Sequence, residues 1–380
     1  MYHCVSCFEV SFIGGYMALS SQHGGNIIQA AAAIGVDANS LTDFSANINP
    51  LGMPDSLKRA ITENLALAER YPDVEYRALH QALAHHHKIP AEWVLAGNGE
   101  TELIFNLVQQ LSPRTALLLT PGFAEYRRAL TRVGCEIVDF QLSEEQGWQP
   151  DESLLSALTP DLDCLFLCTP NNPTGLLLDN VLLLAIAQRC RENSIALIVD
   201  EAFLDFLPYE PGLIPRLSNF PQLYVLRSLT KFFAIAGLRL GYLVSADTVT
   251  VGRIRQLREP WTINAFAALA GEVILNDRDY IEASYRWLSA EQPRLYHGLS
   301  ELQGITVWPP RANYIFLRCD IDGLELQRVL LEKNILIRHC ANYPGLDARY
   351  YRVAIKSQLD NDKLLDALRR VLSDKAGAGE

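Results

Sequence analysis

The sequence holds no apolar run approaching about 18 residues, so no transmembrane helix is expected. It has no surplus of basic residues either: 33 Lys and Arg face 44 Asp and Glu, for a net charge of −11. An acidic chain has no electrostatic reason to bind nucleic acid or an anionic membrane. An anionic ligand would need a local pocket of Arg and backbone amides. Internal repeats and low-complexity linkers are absent. The eight cysteines do not read as a disulfide framework. They are scattered, and several lie in apolar runs such as Cys164-Leu-Phe-Leu-Cys168, as free thiols in a reducing cytosol do. A cytoplasmic location is therefore expected. Cys4 and Cys7 form one Cys-x-x-Cys with no second pair at zinc-binding spacing, so no metal site is expected.

What is present is material for a large core. The chain has 380 residues, 49% hydrophobic and 20% charged, enough for two or three domains and unlike a disordered chain. Residues 1–16 lack a basic n-region and make a poor signal peptide; Met17 reads as a natural start, so 1–16 are expected to be a dispensable extension. Short apolar runs alternate with helical stretches through the middle: Thr115–Thr120, Glu136–Phe140, Leu162–Thr169, Ser194–Val199 and Leu223–Leu226 read as strands. Ala129–Val133 and Val181–Glu192 read as helical. This is the pattern of an α/β unit with a mostly parallel sheet buried on both faces. After about residue 262 the texture changes. Asn264–Asn276 and Tyr280–Leu302 read as long helices, with shorter ones at Leu324–Lys333 and Asn361–Ser373. Thr306–Val307, Asn313–Arg318, Ile335–Arg338 and Tyr351–Ile355 read as strands of a smaller α+β unit. The expected organisation is an arm at 17–60 packing with the small domain, a large domain at 61–262 and the small domain at 263–375.

Polar clusters follow the apolar runs, where an open α/β sheet keeps its ligand. The sharpest is Ser228-Leu-Thr-Lys231-Phe-Phe-Ala-Ile-Ala-Gly-Leu-Arg239-Leu-Gly-Tyr242. A lysine set among apolar residues after a strand can present a nucleophilic amine and form a Schiff base; alone, it is more often a surface residue. Arg239 and Ser228 could hold a phosphate. Asn171-Asn172-Pro173-Thr174-Gly175 would serve as a turn, and Asp200 as a helix cap. Gly97-Asn98-Gly99-Glu100 opens a helix, whose free N–H groups suit a phosphate.

Together these pieces say more than each does alone. Asn172 is followed after 28 residues by Asp200, after 31 more by Lys231 and after 8 more by Arg239. This order resembles the fold-type I pyridoxal phosphate enzymes, the aspartate aminotransferase superfamily, across residues 17–375. The resemblance implies a fold-type I large domain with a smaller C-terminal domain and pyridoxal 5'-phosphate as cofactor. Lys231 would bind the cofactor covalently, with Asp200 on the ring nitrogen and Asn172 on the ring hydroxyl. Tyr126 would stack on the ring, and Gly99, Glu100, Ser228 and Arg239 would hold the phosphate. Tyr71 would reach across a homodimer interface, and Arg352 would grip the substrate carboxylate.

Two branches of that superfamily come near. Arg-Tyr71-Pro and the Asn-Asn-Pro-Thr-Gly run suit the histidinol-phosphate aminotransferases, but Phe203 stands where those enzymes usually have Tyr. His23-Gly24-Gly25-Asn26, Asp43-Phe-Ser-Ala-Asn47-Ile-Asn49, Arg-Ala-Asn313-Tyr and Ile-Arg338-His-Cys-Ala-Asn342-Tyr-Pro-Gly resemble the threonine-phosphate decarboxylases of cobalamin biosynthesis. That resemblance implies O-phospho-L-threonine as substrate, bound by His23, Gly24, Asn47, Asn172, Arg338 and Arg352. Transamination of histidinol phosphate is the alternative. The run His85-His86-His87-Lys88 reads as the exposed end of a helix.

Overall fold

The computed structural model describes residues 23–376; the extension expected at 1–16, with Cys4 and Cys7, and the start at Met17 lie outside the described residues. Helix α1 (Ile27–Ile34) is capped by Asn26, whose side chain accepts from the Gln29 N–H. Its buried face, at Ala30, packs on Leu331 and Leu336. Strand β1 (Thr42–Asp43) then pairs in parallel with residues near 335. Helix α2 (Asp55–Glu63) lies against the helix Ala265–Val273.

The large sheet is built from β2 (Val94–Asn98), β3 (Thr115–Thr120), β4 (Glu136–Gln141), β5 (Cys164–Cys168), β6 (Ala196–Asp200), β7 (Leu223–Ser228) and β8 (Leu240–Val244). Their order is β2-β8-β7-β6-β5-β3-β4. The inner strands are almost wholly buried, which is why they read as continuous apolar runs; edge strand β4 alternates and is half exposed. Helix α3 (Arg77–His87) precedes β2, while α4 (Glu100–Leu111) joins β2 to β3 and α5 (Ala124–Arg132) joins β3 to β4. Strand β8 lies hidden inside the Lys231 segment. It runs antiparallel to both neighbours because residues 229–239 hold no helix and are too short for a parallel crossover. All the other strands run one way, so β2, β3, β5, β6 and β7 end on one edge of the sheet.

The second sheet contains β9 (Ile305–Val307), β10 (Tyr314–Cys319), β12 (Arg338–His339) and β13 (Tyr350–Ala354), antiparallel in the order β12-β13-β10-β9. The single strand expected at Ile335–Arg338 is split. Its first part, β11 (Ile335–Leu336), pairs with β1, and after Ile337 the chain changes partner to β13. The helices Arg278–Ser300 and Gln358–Ala376 pack together behind this sheet. Among the described residues no helix is long and apolar enough to cross a membrane.

Candidate active site

The carboxyl ends of the large sheet gather the sequence-marked groups. Asp200 is the last residue of β6 and is buried; its Oδ1 accepts from the Ala202 N–H at 2.9 Å, and its Oδ2 accepts from the Tyr126 hydroxyl. Ser228 ends β7. Its Oγ accepts from Lys231 Nζ at 3.0 Å and shares a hydrogen bond with Thr230 at 2.8 Å. Lys231 Nζ lies 3.7 Å from Glu100 Oε2 and 5.5 Å from the centre of the Phe203 ring. Glu201, one residue past β6, and Arg227, one residue before the end of β7, form a buried pair at 2.9 Å that ties the two strands together. Asp200 and the Lys231 turn are thereby held in fixed relation.

In Glu100 the side chain and the main chain face different tasks. Its side chain turns inward toward Lys231 rather than outward as a phosphate ligand. Burial, and then the charge of Asp200, push its carboxyl well above the usual range, against the opposing pull of Lys231. Its Oε1 has no hydrogen-bond partner among the described residues. The group it offers an anion is its backbone N–H at the start of α4, where no side chain caps the helix. Gly99 precedes it at φ +78°, and a Cβ there would come within 2.5 Å of Arg239 Nη2. The glycine thus leaves room for a guanidinium beside the open helix end.

Tyr126 makes a different set of contacts from the stacking expected of it. Its hydroxyl holds Asp200, and its ring stacks on Phe166 at 4.9 Å and 20°. Phe123, just before α5, is the aromatic ring left at the mouth, between His23 and Tyr126. No sequence signal distinguished it from the Tyr three residues on. Tyr71 does not join the site of its own chain: it is 80% exposed and lies against Trp261, ring centres 4.6 Å apart.

Facing these groups is the small sheet. Arg338 and Arg352 are directly opposite each other on β12 and β13, and each is only 5% exposed. Arg352 donates from Nη1 to Asn172 Oδ1 at 2.5 Å and from Nη2 to the Ser45 carbonyl at 2.9 Å. Its Nε has no partner among the described residues. Arg338 donates to Asn342 Oδ1 at 2.8 Å. Asn172 Oδ1 also accepts from the Tyr343 hydroxyl at 3.1 Å, which leaves its amide nitrogen as the group it can offer a ligand. Asn47 is buried; its carbonyl accepts from Asn313 Nδ2 at 3.0 Å, while both Asn47 Oδ1 and Asn313 Oδ1 lack partners among the described residues. His23 Nε2 lies 2.9 Å from Glu125 Oε1, and Gly24 presses on the Ser45 carbonyl. Sequence reasoning missed Ser45 and Tyr343; a backbone carbonyl leaves no residue signature. It also placed His87 at an exposed helix end, whereas its Nε2 lies 2.7 Å from the buried Tyr242 hydroxyl.

These residues fit a phosphorylated pyridine aldehyde. They offer a lysine amine, a buried carboxylate, a glycine-arginine cradle at an uncapped helix start, and a set of orphaned buried polar atoms opposite.

Comparison with known proteins agrees with the geometry. The chain is 59% identical over 363 residues to a threonine-phosphate decarboxylase of Salmonella typhimurium, covering 95% of this chain and 100% of that one. A histidinol-phosphate aminotransferase structure from Clostridium acetobutylicum superimposes with a TM-score of 0.82 at 32% identity, covering 87% of this chain and 99% of that one. The structure of an L-threonine-O-3-phosphate decarboxylase from Porphyromonas gingivalis superimposes with a TM-score of 0.78 at 27% identity, over 87% and 99% of the two chains. Residues 39–371 match the aminotransferase class I and II family, and the chain belongs to it.

Proposed function

We propose that the chain decarboxylates O-phospho-L-threonine with pyridoxal 5'-phosphate, releasing CO2 and 1-amino-2-propanol O-phosphate for cobalamin biosynthesis. The observation that carries this reading is the in-register pair Arg338 and Arg352. Like charges directly opposite on neighbouring strands repel, and burial makes the repulsion worse. A ligand with two anionic groups turns that cost into binding. O-Phosphothreonine carries a carboxylate and a phosphate on one small frame, and His23, Gly24, Asn47 and Asn172 add polar groups around it.

When bound, pyridoxal phosphate supplies an electron sink for the pair left at Cα of an amino acid. Lys231 would hold it through Nζ, with Asp200 at its ring nitrogen and Asn172 Nδ2 at its hydroxyl. The backbone N–H groups of Gly99 and Glu100, with Ser228 and Arg239, would take its phosphate. The chain's own contribution is orientation: the arginine anchors set which substituent of Cα is presented for cleavage. Lys231 Nζ, hydrogen-bonded to Ser228 and beside Glu100, is the group that would deliver a proton to Cα. A phenol at residue 203 would favour an aminotransferase; Phe203 instead packs edge-on against Tyr314 at 4.9 Å.

The same reading covers assembly and location. The exposed Tyr71–Trp261 pair supports a homodimer in which Tyr71 completes the partner's site. The free cysteines among the described residues support a cytoplasmic protein. The division into an arm, a large domain from about residue 61 and a small domain from about residue 263 is part of the proposal. The test is incubation with O-phospho-L-threonine, with and without 2-oxoglutarate. CO2 release that needs no keto acid is expected. Glutamate formed at a comparable rate from histidinol phosphate and 2-oxoglutarate would establish the aminotransferase instead.

A further inference from the structure

We infer that Glu125 is a positioning residue for phosphate recognition, holding the His23 imidazole in place from the opposite domain. The inference rests on the reading of O-phospho-L-threonine as substrate. Glu125 lies in the first turn of α5, and its side chain is 4% exposed; one carboxylate oxygen meets His23 Nε2 at 2.9 Å and the other meets Arg128 Nη1 at 3.4 Å. A carboxylate buried this deeply costs desolvation, and helix packing beside Phe123 and Tyr126 would be served as well by an apolar side chain. What the carboxylate adds is a directional hold on one imidazole.

The hold is matched on the backbone side. Gly24 follows His23 directly, and a Cβ there would come within 2.0 Å of the Ser45 carbonyl oxygen, the atom that takes Arg352 Nη2. The Gly25 N–H donates to Ser45 Oγ at 2.8 Å. His23, Gly24, Ser45 and Arg338 line one small cavity. The imidazole is thus pinned at its main chain by the arm and at Nε2 by the large domain, in the cavity that Arg338 lines. An oriented ring loses less freedom on binding a phosphate than a mobile one does.

The experiment is a double-mutant cycle on the holoenzyme, Glu125→Gln with His23→Gln, reading KM and kcat for O-phospho-L-threonine and competitive inhibition by inorganic phosphate. Glu125→Gln is expected to raise both KM and the inhibition constant about tenfold with kcat nearly unchanged. In the His23→Gln background the same change should move neither. Equal losses in both backgrounds, or an unmoved KM in Glu125→Gln, overturn the inference. If Glu125→Gln does not fold, Glu125→Asp, whose shorter carboxylate falls away from His23, is read the same way. Wild-type protein that releases no CO2 from O-phospho-L-threonine overturns the function itself, and this inference with it.

Discussion

The two sheets face one cleft but arm it differently. The large sheet places its groups where strands stop: Asp200 ends β6, Ser228 ends β7, and Gly99 follows β2. Each is set by local chain geometry and cross-tied by short contacts. The small sheet places Arg338 and Arg352 within strands, and their meaning comes from the register between β12 and β13. One side is a set of local motifs, the other a product of pairing. Residues of the first kind should therefore act in an all-or-none way, and those of the second in a graded one.

The largest effect should come from the local side. Lys231→Ala is expected to abolish turnover, by at least about a thousandfold, with the fold retained by circular dichroism. Substantial activity in that variant, with no other lysine labelled by borohydride, would dissolve the contrast. Arg338→Gln should be graded: KM for O-phospho-L-threonine rises about tenfold to a hundredfold with a smaller change in kcat. The same variant sharpens the comparison through stability. Sulfate or phosphate should raise the melting temperature of wild type, because an anion between the arginines binds only the folded state, and should do so less in the variant.

A third, smaller effect lies under the large sheet. The buried His80 has Nδ1 at 2.9 Å from the Glu75 carbonyl and accepts at Nε2 from the Ala96 N–H at 3.0 Å. Its tautomer is thereby fixed as neutral, and a second proton would break the bond to β2. Burial, followed by the charges of Arg255 and Arg258, lowers its pKa from 6.5 to about 4. The unfolded chain takes up this proton below pH 6.5 while the folded chain does not. The stabilisation is full above pH 6.5 and is lost as pH falls toward 4, up to about 3 kcal/mol. Urea midpoints across that range should fall for wild type and slope less in His80→Gln. The smallest effect on stability should be that of Tyr71→Ala. Its exposed ring should contribute no more than about 0.5 kcal/mol to the chain, while activity drops if the residue completes the partner's site. A loss of activity without a dimer in sedimentation would contradict that role.

The same division explains what was legible. The strand ends were readable because residue type, spacing and the step from apolar to polar coincide at Asp200, Ser228 and Lys231. Strand β8 was not, because its direction is decided by the short connection before it, and apolar runs carry no sign of direction. Ile335–Arg338 looked like one strand because period and composition are continuous through it; only the two partners divide it. Tyr126 and Phe123 are both aromatic residues beside the same helix start, and which of them holds Asp200 is a matter of side-chain direction. Arg338 and Arg352 were identified through likeness to a family, but their opposition is a fact of pairing that no single segment contains.

The pairing of β1 with β11 has a consequence for how the chain comes off the ribosome. Ser45 and Arg352, which share a hydrogen bond, are separated by 307 positions in sequence. The large sheet, closed by β8 at Val244, is complete long before β11 and β13 have been synthesised. At 5–20 residues per second, the stretch from Asp43 to Ile335 takes about 15 to 60 seconds to make, and the arm must wait that long as an unpaired strand with its apolar helix face uncovered. During that interval it is open to chaperones, to proteases and to pairing with another nascent copy. The anion site is accordingly among the last parts of the molecule to exist. A chain cut short before β12 would keep the lysine side of the cleft and have no arginine side to face it.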